Sequence, residues 1–292
     1  MSSRGLVETF IGFDSAWTNN KTKPGAISSV TMADGCVRSF ISPKLVSFEE
    51  AADLVITLSD ESDYTLIAID QPTIVPNMDR GRPVERVARS VMSRIRGAVQ
   101  PANRGRIEMF GDHAPIWRFL DQLRMRQNPA AARKEAKGRF LIEVFPALAL
   151  TVIASETWER RRAAKYNPIN KLFRLDDWNM IVNSIARVFD ELEMNETIST
   201  ADCMKNSFQR PRKRDQDQLD SLLCLLIAIQ WRHAPQDRCV VIGDSESGYM
   251  VTPVTRSVRE VLADGAKRFE VPLNGSWDAD ASHLAVPPRG PS

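Results

Sequence analysis

The first 70 residues consist mostly of short apolar segments separated by turn signals. Residues 6–13 have the pattern of a strand, and residues 25–41 that of a hairpin, because an Asp-Gly pair separates two alternating segments. A helix is predicted from Ser47, which forms a capping box with Glu50, and residues 64–70 return as a strand. Three consecutive strands, a crossover helix and a fourth strand predict a mixed sheet.

The rest of the chain alternates between helical and strand patterns. Residues 217–232 are apolar on nearly every side of the predicted helix, which indicates that this helix is buried. Glu143 lies inside a predicted strand that Pro146 ends. The predicted helices cover residues 83–99, 116–125, 176–194 and 217–232, and the predicted strands cover residues 139–145, 239–243 and 248–253.

No internal repeat, low-complexity segment or Gly/Ser linker divides the chain. We therefore predict one domain over residues 1–278, with helical insertions at about residues 80–138 and 156–215. Residues 279–292 are Pro-rich and lack periodicity, so they are predicted to be a mobile tail. A chain of 292 residues with 43% hydrophobic and 26% charged residues has the composition of a globular protein.

The cysteine, histidine and hydropathy patterns argue against a disulfide-rich, a zinc-binding or a membrane-spanning protein. The four cysteines are scattered without a CxxC pair, and the three histidines lack metal-type spacing, so a disulfide framework or a zinc site is not expected. No run approaches the roughly 20 apolar residues of a membrane span. These features predict a cytoplasmic protein that does not span a membrane.

Aspartates end or begin apolar segments at three places. Asp14 closes the first strand, Asp70 closes the fourth, and Asp217 and Asp220 open the apolar helix. Each has a structural explanation, since strand-end aspartates often begin turns and acids in a first helical turn are favourable. Together they suggest a site, because ligands of open α/β sheets bind at the carboxyl ends of neighbouring strands.

If these acids lie close together, their negative charges repel one another. Two like charges about 4 Å apart repel by roughly 4 kcal/mol at an effective dielectric of about 20. Carboxylates brought together in this way need a divalent ion, and hard oxygen ligands favour Mg²⁺ or Mn²⁺. Two such ions about 3.5–4 Å apart can activate a water and stabilise the leaving oxygen in phosphodiester cleavage. The sequence thus predicts two Mg²⁺ or Mn²⁺ ions as cofactors.

The motifs "FIGFDSAW", "IAIDQP", "IEVFPALAL" and "DQLDSLLCLLIAI" occur in the order seen in an uncharacterised-domain family of predicted RNase H-like nucleases. The last motif also resembles the acidic helix of RuvC-type resolvases. The resemblance covers roughly residues 6–255. It implies an α/β ribonuclease H-like fold, with a five-stranded mixed sheet, helices on both faces and helical insertions.

The resemblance also implies residue roles. Asp14 resembles the central metal-bridging acid, Asp70 the second ligand, and Asp220, with Asp217, the acids of the terminal helix. These four are the predicted metal ligands, and with Glu143 of the "EVFP" motif they are the predicted catalytic residues. Glu143 would bind metal or a substrate hydroxyl, or it would simply face solvent on an edge strand.

Basic residues adjoin these motifs. The family has an Arg-containing segment after its "IDxP" motif, and Arg80, Arg82 and Arg86 resemble it here. Arginine suits phosphate oxygens, so these three, with Arg212, Lys213 and Arg214 before the acidic helix, are predicted to bind substrate. A solvated helix face is the alternative for the first group. Trp17 could stack on a base or form part of a core wall.

Three functions fit these features. The first is a Mg²⁺- or Mn²⁺-dependent nuclease acting on DNA or RNA. The second is a non-catalytic nucleic-acid or nucleotide-binding protein on the same fold. The third, an actin-like phosphotransferase, is disfavoured because paired glycine-rich phosphate loops are missing. The sequence does not set the oligomeric state, and a homodimer is compatible with it.

Overall fold

A computed structural model of the chain describes residues 5–18, 22–194, 210–275 and 277. The predicted tail at residues 279–292 and part of the second predicted insertion lie outside the described residues.

The centre of the protein is a five-stranded mixed sheet with the strand order β3-β2-β1-β4-β5. The three strands that are first in sequence pair antiparallel, while β1, β4 and β5 run parallel. The predicted α/β class with a five-stranded mixed sheet flanked by helices is therefore confirmed. The strands are β1 Val7–Asp14, β2 Gly25–Ala33, β3 Cys36–Val46, β4 Tyr64–Ile69 and β5 Gly138–Glu143.

Local signals account for the hairpin and for the first helix. Asp34 and Gly35 both have left-handed backbones, with φ of 55° and 77°, as a two-residue turn of this kind requires. Ser47 and Glu50 form the predicted capping box: the Glu50 amide donates to the Ser47 hydroxyl at 3.2 Å, and the Ser47 amide donates to the Glu50 carboxylate at 2.7 Å.

Helices occupy about half of the remaining described chain. They are α1 Phe48–Asp60, α2 Pro83–Met92, α3 Ile107–Phe110, α4 Pro115–Leu123, α5 Pro129–Lys134, α6 Pro146–Ile153, α7 Glu156–Glu159, α8 Leu175–Glu191, α9 Lys213–His233 and α10 Arg256–Phe269. Two more strands, β6 Cys239–Asp244 and β7 Gly248–Pro253, form an antiparallel pair.

Two boundaries differ from the predictions. The strand that was predicted to continue up to Pro146 ends at Glu143, and Pro146 is the first residue of α6, because proline fits the first helical turn, where no amide donor is needed. The helix predicted over residues 83–99 ends at Met92 and continues only as a 3₁₀ turn to Ile95.

The helices form layers on the two faces of the sheet. On one face, α1 and α4 pack with Ile11, Phe13 and Ile67, whereas α9 packs with Phe10 and Leu66 on the other. A third core cluster joins α2, α10 and the β6–β7 pair. In the described parts of the chain, no helix has both the length and the apolar character to cross a bilayer.

Gly12 allows α9 to lie directly against β1. A Cβ atom at Gly12 would lie 2.1 Å from the Ser221 carbonyl oxygen and 2.3 Å from the Leu225 amide nitrogen. Both are backbone atoms, so no side-chain rotation could relieve the clash. This close approach sets the height of the first turns of α9 above the end of β1.

Candidate functional site

Asp14 and Asp70 leave the sheet side by side. Strands β1 and β4 are parallel, with Phe13 opposite Ile69, and the Asp70 amide donates to the Phe13 carbonyl at 2.9 Å. Asp14 ends β1 and is 7% exposed, while Asp70 follows β4 and is half-buried. Both side chains line one cleft of about 300 Å³.

The third carboxylate of the cleft comes from α9. Asp220 lines the same cleft and is 5% exposed. The Tyr166 hydroxyl donates to its Oδ1 at 2.8 Å, and the Gln216 amide donates to its Oδ2 at 3.0 Å. Asp217, one of the predicted ligands, is instead paired with Lys213, whose side chain lines the cleft. The fold thus brings Asp14, Asp70 and Asp220 together and gives Asp217 a cationic partner.

Burial and mutual repulsion raise the pKa values of these three acids. Burial, followed by the charges of Asp220, Asp70 and Asp217, raises the pKa of Asp14 well above its ordinary value. Burial, Asp220 and Glu143 act in the same direction on the pKa of Asp70. Burial raises the pKa of Asp220 to about 6, although the hydrogen bond from Tyr166 and the charge of Lys213 oppose the shift.

The donor set of the cleft suits a hard divalent cation. Within the described residues, the Asp14 and Asp70 carboxylates have neither a hydrogen-bond donor nor an ion-pair partner, and burial, followed by neighbouring acids, raises the pKa of both. Oxygen ligands of this kind match Mg²⁺ or Mn²⁺. No three acidic, histidine or cysteine side chains among the described residues already stand as ligands around one point, so these aspartates would have to turn toward a shared ion.

Glu143 is held by arginine on the inner wall of the cleft. It is 1% exposed, so the alternative of a solvent-facing acid is wrong. Arg82 donates to Glu143 Oε1 at 2.6 Å and to Oε2 at 2.9 Å, and to Glu85 Oε1 at 2.9 Å. The Thr73 amide also donates to Glu143, at 2.9 Å.

Arg82 therefore requires a correction. It was predicted to bind substrate, but its side chain is 0% exposed and its guanidinium lies within this buried ion-pair network. A substrate phosphate in the cleft could not reach it. Its role in this geometry is to hold Glu143 and Glu85 in place.

The other predicted basic residues lie at the surface. Arg80 is exposed in the loop before α2, and Arg86 is exposed on α2 with its guanidinium 5.1 Å from the centre of the Phe269 ring. Arg212 and Arg214 are exposed at the start of α9, beside the cleft residue Lys213.

A protein-family profile described as "Protein of unknown function (DUF429)" matches residues 14–247. The chain belongs to the DUF429 family. Searches of curated proteins and of solved structures each gave no match to this chain.

The DUF429 match includes every acid of the cleft. It begins at Asp14 and takes in Asp70, Glu143 and Asp220, together with the loop that carries Tyr166. Helix α10 lies beyond its end. The family description names no activity, so the chemistry of the cleft has to be argued from its side chains.

Two cleft residues of this DUF429 protein were missed by sequence reasoning. Gln216 precedes Asp220 by four residues, a helical spacing that could have suggested contact. Tyr166 gave no such signal, because it lies in a loop 54 positions before Asp220. That loop is anchored by buried Asp177, which accepts from Arg162 at 2.8 Å and from the Lys165 amide at 2.8 Å. Trp17, which also lines the cleft, packs edge-on against Phe110.

Proposed function

We propose that this DUF429 protein is a metal-dependent nuclease that hydrolyses phosphodiester bonds of nucleic acid. The observation that carries the proposal is the meeting of Asp14, Asp70 and Asp220 in one cleft, where two of the three carboxylates lack a partner among the described residues. A buried carboxylate without a partner lowers the stability of the folded protein when it is ionised, and acids with perturbed pKa values cluster at functional sites.

The topology supports a ribonuclease H-like reading of the fold. An antiparallel meander of three strands is followed by a crossover helix and by two strands parallel to the first. In the nucleases that the sequence motifs resemble, the first-strand acid, the fourth-strand acid and a late helical acid hold the metal. Asp14, Asp70 and Asp220 occupy those three places.

In this proposal Asp14, Asp70 and Asp220 would hold two Mg²⁺ or Mn²⁺ ions. When bound, such ions supply an activated water and charge stabilisation of the leaving oxygen. Tyr166 and Gln216 orient the Asp220 carboxylate by donating to its two oxygens. Asp217 holds the ammonium of Lys213 at the cleft, where it would contact a substrate phosphate. Arg82 holds the Glu143 carboxyl group in place through a short ion pair.

The decisive experiment compares cleavage by the wild type with cleavage by Asp14→Asn and Asp220→Asn. Labelled single-stranded, duplex and branched DNA and RNA would be incubated with each protein in Mg²⁺ or Mn²⁺. Loss of a metal ligand removes several kcal/mol of transition-state stabilisation, so we expect cleavage to fall by about 100-fold or more. Asp53→Asn, which makes the same change at an exposed position of α1, should cleave like the wild type.

A second readout does not depend on turnover. Mn²⁺ at about 100 times its dissociation constant should stabilise the wild type by roughly 2.7 kcal/mol, and should stabilise Asp14→Asn much less. Cleavage that persists undiminished in both aspartate variants would identify a contaminant and defeat the proposal. Nucleic-acid binding without cleavage in either metal would favour the non-catalytic binding protein.

A further inference from the structure

A second charged feature lies outside the acidic cleft, where α2 packs against α10. The two helices approach closely at Gly265: a Cβ atom there would lie 2.6 Å from the Ser90 hydroxyl oxygen. Their meeting leaves a surface groove of about 400 Å³. We call it the α2–α10 groove, and its charged lining residues are Arg86, Arg89, Arg94, Asp264 and Arg268.

The arginines of the α2–α10 groove are available to a ligand. All four are exposed, and within the described residues none has a carboxylate within ion-pair distance. By contrast, the buried Arg82, just before α2, is neutralised by its ion pairs with Glu85 and Glu143. Four cations against the single acid Asp264 leave the groove with an excess of positive charge.

Aromatic rings lie among these cations. The guanidinium carbons of Arg86 and Arg268 lie 5.1 and 5.4 Å from the centre of the same Phe269 ring, within the range of a cation–π contact. Arg94 also lines a neighbouring hollow of about 330 Å³, together with Trp158 and Arg161. Cations interleaved with aromatic side chains suit a ligand that carries both phosphates and bases.

We propose that the α2–α10 groove binds the phosphate backbone of nucleic acid and holds the strand beside the acidic cleft. The choice of nucleic acid as the polyanion rests on the proposed nuclease function. The planar guanidinium fork binds phosphate oxygens in pairs, and arginines that lack protein partners can form such pairs without first breaking an ion pair.

The chain itself limits the distance from the neighbouring hollow, which shares Arg94 with the groove, to the cleft. Arg161 lines the hollow next to the groove, and Tyr166, five residues later, lines the cleft. Five residues span at most about 18 Å even when fully extended. Along duplex DNA, where each strand advances about 3.4 Å per nucleotide, this corresponds to roughly five nucleotides. One strand could therefore contact both the hollow and the cleft, and Arg94 connects the hollow to the groove.

The test measures binding in the absence of divalent ions, so that it does not depend on cleavage. Fluorescence anisotropy of labelled duplex and single-stranded oligonucleotides would be recorded in a chelator at several salt concentrations. The variant is Arg89→Gln/Arg94→Gln. The matched control is Arg38→Gln/Arg118→Gln, which removes two other exposed arginines that lie outside the groove. Thermal melting of all proteins would establish that each is folded.

Removing two phosphate contacts should reduce the slope of log affinity against log salt by about 1.8 for duplex, alike for every base sequence. The control should keep the wild-type slope. A variant with the wild-type slope would overturn the proposal that the α2–α10 groove binds nucleic acid, while leaving the nuclease proposal intact. A reduced slope in a protein that never cleaves would support the groove proposal but not the nuclease proposal. Preferential binding of the wild type to anionic phospholipid vesicles, lost in the variant, would also overturn it.

Discussion

Asp14 is the residue that dominates the energetics of the cleft. It is almost fully buried, has no hydrogen-bond donor among the described residues, and faces the charges of Asp220 and Asp70. Lys213 opposes these charges only in part, because it is paired with Asp217. In the absence of a bound cation, the ionised cleft therefore destabilises the folded protein.

This yields a prediction for Asp14→Asn. A carboxyl group whose pKa is raised on folding binds its proton more tightly in the folded state, so stability falls as the pH rises from the ordinary value of 3.8 through the raised pKa. Asparagine cannot ionise and loses no hydrogen bond. We expect the variant to be more stable than the wild type at pH 8.

The measurement is urea unfolding in a chelator at pH 8 and at pH 4. The advantage of Asp14→Asn should shrink at the lower pH, where the wild-type carboxyl is protonated. Asp53→Asn, at an exposed position, should show little difference from the wild type at either pH. An Asp14→Asn protein that is less stable than the wild type at pH 8 would mean that this carboxylate has a stabilising partner.

At the scale of elements, the site depends on how α9 lies on β1. The end of β1 places Asp14, and the second turn of α9 places Asp220. Gly12 lies two residues before Asp14 on β1, and the backbone of α9 at Ser221, the residue after Asp220, packs directly against it. The apolar character of α9 explains its burial, and this contact explains why its acidic end reaches the edge of the sheet.

We predict that Gly12→Ala disrupts the site as well as the stability. The added methyl group meets backbone atoms, so α9 has to move away from β1. Overpacking of this kind costs about 1–3 kcal/mol, occasionally more. Urea unfolding measures the loss, and Mn²⁺-dependent stabilisation of the same variant should be weakened because Asp220 is displaced from Asp14.

Gly35→Ala serves as the comparison. Its Cβ would meet no atom within 4 Å, but its φ of 77° is unfavourable for alanine. That variant should lose about 1–2 kcal/mol from backbone strain while its Mn²⁺ response stays that of the wild type. Equal Mn²⁺ responses in the two glycine variants would show that the packing of α9 does not position the site.

At the scale of the whole molecule, the Arg82 side chain connects separate layers of the fold. Its side chain bonds Glu143 at the end of β5, Glu85 of α2 and, at 3.0 Å, the carbonyl of Ile74 in the loop after β4. A Cβ atom at Gly248 of β7 would lie 2.8 Å from its Nη1. The five-stranded sheet, α2 and the smaller β-pair therefore share one buried cation.

We predict that Arg82→Ala lowers the free energy of unfolding by about 3–5 kcal/mol, because it leaves two buried carboxylates unpaired. Urea unfolding is again the measurement, with Arg118→Ala on the exposed side of α4 as the control. Adding Glu85→Gln and Glu143→Gln should recover part of the loss by removing the unpaired charges. No recovery would indicate that lost packing, and not charge, causes the instability.

Much of the fold was predictable because its signals are local. The Asp34-Gly35 turn, the Ser47 capping box and the periodicity of α9 each act over a few neighbouring residues. The adjacency of Asp14 and Asp70 also followed from strand order alone. The strand does end before Pro146, but the helix that Pro146 begins was not predicted, since proline both ends strands and begins helices.

The sequence by itself determined the elements and which acids end them, since hydrophobic periodicity, turn residues and helix caps act over short stretches of chain. Only the tertiary structure decided the partner of each charge. It left Asp14 facing other acids, enclosed Arg82 with Glu143, brought Tyr166 to Asp220 and set α10 against the arginines of α2. Hydrogen bonds and charge interactions depend on distance in space, which separation along the chain does not reveal.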